Sequence, residues 1–377
     1  MSDAGAPRGN APMRGAYSTC DVEVANPSVM VIFGASGGLA HSKLIPSLFR
    51  LDVQGLLPER FTVIGFARTK MDDNAFRDGL RESVGKEAKA AFTDEKWSKF
   101  ASRLHYLAGQ YDSPESFAAL SALLGDIEGK QGLMRRLYYM ALPPTVAEEA
   151  LRAMKQVRFI ERATRPEAAP RILMEKPFGL DLESAVRINR LLSEMFDEPQ
   201  IYRVDHYLGK DTIRNILLFR FANSIWEPLW NSRYIAGVFI TAAEDIGVEG
   251  RGGYYEEAGV VRDVVQNHVL QVLSLMTMEP PLAGDPESVA DKKIEIFRAL
   301  APIEPGRFVF GQYEGYRGQE GVAPDSRTPT FVAAKMRIEN WRWHGVPVYV
   351  RAGKGLERIA GGQTTPAVPA RSSPASP

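Results

Sequence analysis

Short apolar runs rich in β-branched and aromatic residues punctuate the first half of the chain: VMVIF (29–33), FTVIGF (61–66), RLHYL (103–107), RLYYMAL (136–142) and RILME (171–175). Their length and content predict strands. Between them, KLIPSLFRL (43–51) and ESFAALSALLGDI (115–127) carry apolar residues at helical spacing. Strands alternating with helices at this interval predict an α/β domain on a doubly wound parallel sheet. After Tyr202 the pattern changes to a helix over about 209–221, a strand near 234–242 and a long helix beginning near Tyr255. TFVAAKMRI (330–338) and VPVYVR (346–351) then read as strands. Strands gathered late in the segment predict an α+β domain on a large, mainly antiparallel sheet.

Both ends lack a hydrophobic period. Residues 1–26 are rich in Ala, Gly, Pro and Ser and read as a flexible arm, and 358–377 as a disordered Pro- and Ser-rich tail. The expected organisation is an arm over 1–26, a nucleotide-binding domain over 27–203, a substrate and dimerisation domain over 204–357, and the tail.

The 377 residues carry 46 Lys and Arg against 46 Asp and Glu, so no net field attracts nucleic acid or an anionic membrane. A hydrophobic content of 45% and a charged content of 24% fit a core-building chain. The single cysteine, Cys20, can form neither an internal disulfide nor a Cys-based zinc site, which fits a reducing compartment. The first twenty residues hold no apolar segment of a secretory signal, and no apolar run is long enough to span a bilayer. The expected location is cytoplasmic.

Candidate chemistry begins where the first strand enters Gly34-Ala35-Ser36-Gly37-Gly38 and then a helix. Glycines at a strand-to-helix turn let the backbone approach a pyrophosphate, although the same turn also forms without a ligand. The second strand ends in Gly65-Phe66-Ala67-Arg68. Arginine at that place accommodates the 2′-phosphate of NADP, where an acid would take the ribose hydroxyls of NAD. A surface arginine at a strand end is the competing reading.

Lys176 in Glu175-Lys176-Pro177 falls at the carboxyl end of the fifth strand, where open α/β sheets bind ligands. A cis peptide at Pro177 would help aim it. In RVDHYLGK (203–210), His206 and Lys210 share a face if the segment is helical, forming a cationic clamp for a phosphate monoester. Asp205 projects elsewhere and is better placed to orient an imidazole. The segment 259–276 has valines and leucines all round, yet embeds Asp263, Gln266, Asn267, His268 and Gln271. Such a helix holds a polar network or lines a cleft. At about 100° per residue, Asp263 and His268 stand about 140° apart and would flank a site. His268 suits a general base at neutral pH, with a buried structural histidine as the alternative.

Taken together, GASGGLAHSKLIPSL, IGFAR, YMALPP, MEKPFG, RVDHYLGK, RFANSIWEPLWN, EGRGGYYEEAG, RDVVQNHVLQ and VPVYVRAGK resemble the glucose-6-phosphate dehydrogenase family, in the family's order from Val31 to about Leu356. The resemblance implies a Rossmann-like NADP domain and oxidation of glucose 6-phosphate at C1 to the 6-phospho-glucono-lactone, the first step of the oxidative pentose phosphate pathway. His268 matches the general base, Asp205 the carboxylate that orients it, and Lys176 a lysine that contacts the sugar and the nicotinamide side. His206, Tyr207 and Lys210 match the phosphate-binding group, Glu244 and Asp263 acids that bind sugar hydroxyls, and Lys354 a further sugar or phosphate contact. Gly34, Ala35, Ser36, Gly37, Lys43, Arg68, Tyr139 and Lys176 match cofactor contacts. No metal is required, and the family forms homodimers or tetramers.

Three departures stand out. Gly38 replaces the usual aspartate, and Asp211 and Arg214 stand where Glu and Gln are common. After AGKGLE the chain turns into RIAGGQTTPAVPARSSPASP, which reads as a truncated or frameshifted member with an incomplete sheet and without the usual dimer-forming region. Two other functions compete: an inactive NADP-binding remnant, and a related NADP-linked sugar oxidoreductase that does not need the phosphate clamp.

Overall fold

The computed structural model describes residues 24–132, 134–160, 168–304 and 306–356. Most of the N-terminal arm, Cys20 and the C-terminal tail lie outside them. The described residues fall into two compact units that meet in sequence at Val204 and Asp205.

In the first unit, six strands form one parallel sheet: β1 (Ser28–Phe33), β2 (Phe61–Ala67), β3 (Leu104–Ala108), β4 (Arg135–Met140), β5 (Arg171–Met174) and β6 (Ile201–Arg203). Their order is β3-β2-β1-β4-β5-β6, with every pair parallel. That order is the doubly wound arrangement that binds dinucleotides where the direction of winding reverses, here between β1 and β4. All seven residues of β2 are buried, as expected when helices cover both faces of a sheet.

Side-chain alternation sorts the strands' residues onto those faces. Val31, Phe33, Ile64 and Phe66 join one core with α4 (Pro114–Gln131), α5 (Pro144–Gln156) and α6 (Leu182–Met195). Ile32 and Val63 join another with α1 (Ile45–Val53), α2 (Asp73–Glu87) and α3 (Asp94–Ala101). The three-residue β6 carries no pattern long enough to read from sequence.

In the second unit, β7 (Val238–Ala243), β8 (Phe308–Gly311), β9 (Phe331–Arg337) and β10 (Pro347–Gly353) form a sheet in the order β7-β10-β9-β8. Two of its pairings are antiparallel and β7–β10 is parallel, so the sheet is mixed. Its inner face, with Ile240, Val350 and Val332, packs in one core with Val264, Leu273 and Met276. The long helix expected from Tyr255 is three pieces: α8 (Gly252–Val260), a π-helical segment (Val261–Val269) and α9 (Leu270–Thr277). Gly259 breaks the helical path with φ 60° and ψ 174°. Burial on all sides holds for α9, where every residue from Val272 to Thr277 is buried, whereas the polar residues cluster on the π-helical segment and its junction with α9.

Three side chains hold the end of α9. Arg220, on α7 (Asp211–Phe221), donates to the carbonyls of Leu275 (2.9 Å) and Met278 (2.8 Å). Trp230 Nε1 donates to Met276 O and Trp343 Nε1 to Thr277 O. These carbonyls have no partner within a helix that stops here. Burial pushes the fully buried Arg220 guanidinium down to about 10, against the neighbouring Glu227 that favours its charge. The remaining helix, α10 (Pro286–Ala299), contributes Ile296 to the same core.

Candidate functional site

Within the first unit, the expected cofactor residues gather at the carboxyl ends of the strands. Gly34 follows β1 with φ 82°, and a Cβ there would stand 2.4 Å from Ala141 O beyond β4. Only glycine fits that close crossing at the winding reversal. Gly37 N–H donates to Gly34 O, closing the turn, and a Cβ on Gly38 would meet nothing within 4 Å. The missing aspartate therefore leaves open space at the turn. Ala35 is buried, while Ser36 and Gly37 are exposed, and Ser36 Oγ accepts a hydrogen bond from Thr69. An open glycine turn at a parallel-sheet reversal accepts a dinucleotide pyrophosphate.

Arg68, exposed just after β2, lies with its guanidinium 5.7 Å from the centre of the Tyr111 ring. Lys43 belongs to a π-helical turn, Ala40–Leu44, and its Nζ is 4.0 Å from Glu87. Tyr139 on β4 donates a hydrogen bond to Glu175. Burial first, and then Glu175, pushes the phenol far above its ordinary range, so it stays protonated. Sequence reading gave Glu175 no task; only the neighbouring register of β4 and β5 brings the two together. Lys176 is half-buried in the loop after β5, and the Lys176–Pro177 peptide is cis.

Within the second unit, the acid–base candidates converge. His268 Nδ1 lies 3.1 Å from Asp205 Oδ1, and both side chains are over nine-tenths buried. The His268 ring stacks on Tyr207, with centroids 3.9 Å apart and planes 13° apart. His206 meets His268 edge-on at 4.5 Å. Lys210 Nζ stands 3.9 Å from the centre of the Tyr207 ring.

The helix expected to align His206 with Lys210 is absent. Asp205 Oδ1 accepts the Tyr207 N–H at 2.9 Å, and Asp205 O accepts that of Leu208. An aspartate capturing the backbone two residues on makes a turn. Helix α7 starts only at Asp211, with Lys210 as its cap residue. His206 and Lys210 still come together, but through the Tyr207 ring that both contact.

Glu244, Asp263 and Lys354 form a second group. Lys354 Nζ lies 2.5 Å from Glu244 and 4.0 Å from Asp263. Tyr254, unforeseen from sequence, donates to Asp263 at 3.2 Å. The 140° separation of Asp263 and His268 does not apply, because a π-helix bonds residue i to i+5 and so brings residues five apart close to one face. Burial, followed by the charges of Glu244, Asp205 and Asp263, pushes the Tyr207 phenol up to about 12. Its hydroxyl therefore remains a donor at neutral pH, in reach of both groups' fields.

Comparison with known proteins bears on the family. Residues 31–215 match the family model described as the glucose-6-phosphate dehydrogenase NAD binding domain, and 217–361 its C-terminal domain. Glucose-6-phosphate 1-dehydrogenase 5, cytoplasmic, of Arabidopsis thaliana is 44% identical over 332 residues, covering 87% of this chain and 64% of the relative. Glucose-6-phosphate 1-dehydrogenase of Bacillus subtilis is 40% identical, covering 88% of this chain and 69% of the relative. A solved glucose-6-phosphate dehydrogenase in complex with its substrate glucose-6-phosphate superimposes with a TM-score of 0.78 at 38% identity, over 88% of this chain and 69% of that one. The chain thus spans just under two thirds of the length of the plant relative. Relatives include cytoplasmic and chloroplastic forms, and no helix among the described residues is long and apolar enough to cross a membrane. With both family domains matched in order and identity near 40% over most of its length, this chain belongs to the glucose-6-phosphate dehydrogenase family.

Proposed function

We propose that this chain oxidises glucose 6-phosphate at C1 with NADP⁺, giving 6-phospho-glucono-1,5-lactone. The observation that carries the reading is the His268–Asp205 pair, with a stacked tyrosine and an ammonium beside it. His268 takes the proton of the C1 hydroxyl as the C1–O bond becomes a carbonyl, and the C1 hydrogen leaves with its electron pair. A bound nicotinamide supplies the acceptor for that hydride. Asp205 holds the imidazole in one orientation and stabilises its charged form.

His206, Tyr207 and Lys210 hold the phosphate: Lys210 by charge, Tyr207 through a phenol that burial keeps protonated. Glu244 and Asp263 accept hydrogen bonds from sugar hydroxyls, with Lys354 between them setting their spacing. Gly34, Ala35, Ser36, Gly37 and Lys43 would hold the pyrophosphate, Arg68 the 2′-phosphate, and Tyr139 and Lys176 the nicotinamide side. The open glycine turn and the exposed Arg68 fit NADP. The names of two plant relatives support a cytoplasmic location.

The test is NADPH formation by the full chain with glucose 6-phosphate, beside a His268→Asn variant. Turnover that falls about 10²–10⁴-fold in the variant is the expected result. Equal turnover in both proteins would remove His268 as the base. NADP⁺ binding without turnover in either would sink the dehydrogenase reading, and equal use of unphosphorylated glucose would remove the phosphate clamp.

A further inference from the structure

One property of the acid–base cluster goes beyond proton transfer. Asp205, His206 and His268 each offer a donor atom, and these atoms all lie within 4.8 Å of one another. Two imidazoles and a carboxylate are a donor set that suits borderline divalent transition metals and not magnesium or calcium, which favour all-oxygen surroundings.

The spacing bears on which ion fits. Donors bound at about 2.0–2.1 Å to one tetrahedral ion stand roughly 3.3 Å apart. The Nδ1 of His268 and Oδ1 of Asp205 already stand 3.1 Å apart. Since the three donors lie within 4.8 Å of one another, no pair of them must close by more than about 1.5 Å. His206 is exposed, so its ring can make that move by turning about its side-chain bonds. The stacked Tyr207 ring fixes His268. The charges of Glu244, Asp205 and Asp263 all reach Tyr207 beside these donors and favour a cation there, with the Lys210 ammonium opposing them.

We infer that Asp205, His206 and His268 form a two-histidine, one-carboxylate site for a divalent transition-metal ion of the zinc class, and that its occupation switches the enzyme off. The ion takes the Nδ1 lone pair of His268, and the ring's one proton then resides on Nε2. No nitrogen is left to accept the proton of a substrate hydroxyl. The switching-off rests on the proposed dehydrogenase reading; the metal site itself does not.

The probe is Co²⁺ alone, titrated into the tag-free full chain and read by its visible d–d absorption. One equivalent should give a band of low-coordinate cobalt. The band should weaken with affinity at least ~10-fold lower in His206→Ala. In a Cys20→Ser background, His206→Cys should restore it with an added sulfur-to-cobalt band in the near ultraviolet. No band in the natural chain, an unchanged band in His206→Ala, or no recovery in His206→Cys would each overturn the site. Zn²⁺ should also abolish NADPH formation reversibly to a chelator, and glucose 6-phosphate should bleach the cobalt band. A cobalt band with undiminished NADPH formation in Zn²⁺ overturns the switch and leaves the site. NADPH formation without a cobalt band overturns the site and leaves the dehydrogenase.

Discussion

His268 Nδ1 meets Asp205 Oδ1 at 3.1 Å across a sequence separation of 63 residues, and both groups are buried. In the proposed reaction the buried imidazole gains a proton, and a fixed negative partner favours that because desolvation otherwise disfavours the cation. Asp205→Asn keeps the shape and removes the charge. The expected result is a kcat about 10²-fold lower or more, with KM for glucose 6-phosphate little changed. Steady-state kinetics check it, and an unchanged kcat would show that Asp205 only shapes the turn.

Gly34→Ala should weaken NADP⁺ binding and the fold together. A Cβ would collide with Ala141 O, and φ 82° is strained for any L side chain. The expected loss is about 1–3 kcal/mol of stability. Thermal unfolding with and without NADP⁺ separates the two effects, since a strained turn that still bound cofactor would keep its ligand-induced shift.

Arg68→Gln tests cofactor choice. Removing a charge-assisted hydrogen bond of about 1.5–3 kcal/mol should raise KM for NADP⁺ by about tenfold or more, while NAD⁺ is little affected. Equal effects on both cofactors would reduce Arg68 to its contact with Tyr111.

Arg220→Met should destabilise the second unit by about 3 kcal/mol, read by urea unfolding. The change leaves the carbonyls of Leu275 and Met278 and the carboxylate of Glu227 without their buried donor. An unfolding midpoint equal to the natural chain's would mean that solvent reaches those carbonyls.

The Arg342–Glu279 pair gives a pH dependence with a definite sign. Two hydrogen bonds from Arg342 hold the Glu279 carboxyl below its ordinary range. A lowered carboxyl stabilises the fold fully above the unfolded value of about 4.3, and the contribution fades as pH falls through the folded value. The gap in urea midpoint between the natural chain and Glu279→Gln should therefore be full at pH 7 and close as pH falls past the unfolded value and through the lower folded one. A gap independent of pH would assign the effect to packing.

What could be read from the residues in order was what repeats locally. The runs that became β1 and β2 are continuous and apolar because helices cover both sides of a parallel sheet, and that burial writes itself into composition. The glycine turn was legible because only a few residue types permit a positive φ beside a carbonyl. Residue type and the family resemblance both pointed to roles for Asp205 and His268, but neither showed how they meet. Pairing across 63 residues, the Tyr139–Glu175 bond between neighbouring strands and the capping of α9 by Arg220, Trp230 and Trp343 leave no periodic trace. The turn at 205–210 and the π-helical segment went unread for the same reason. In each, where the backbone hydrogen bonds go is settled by side chains and packing in three dimensions, and residue spacing along the chain does not record that choice.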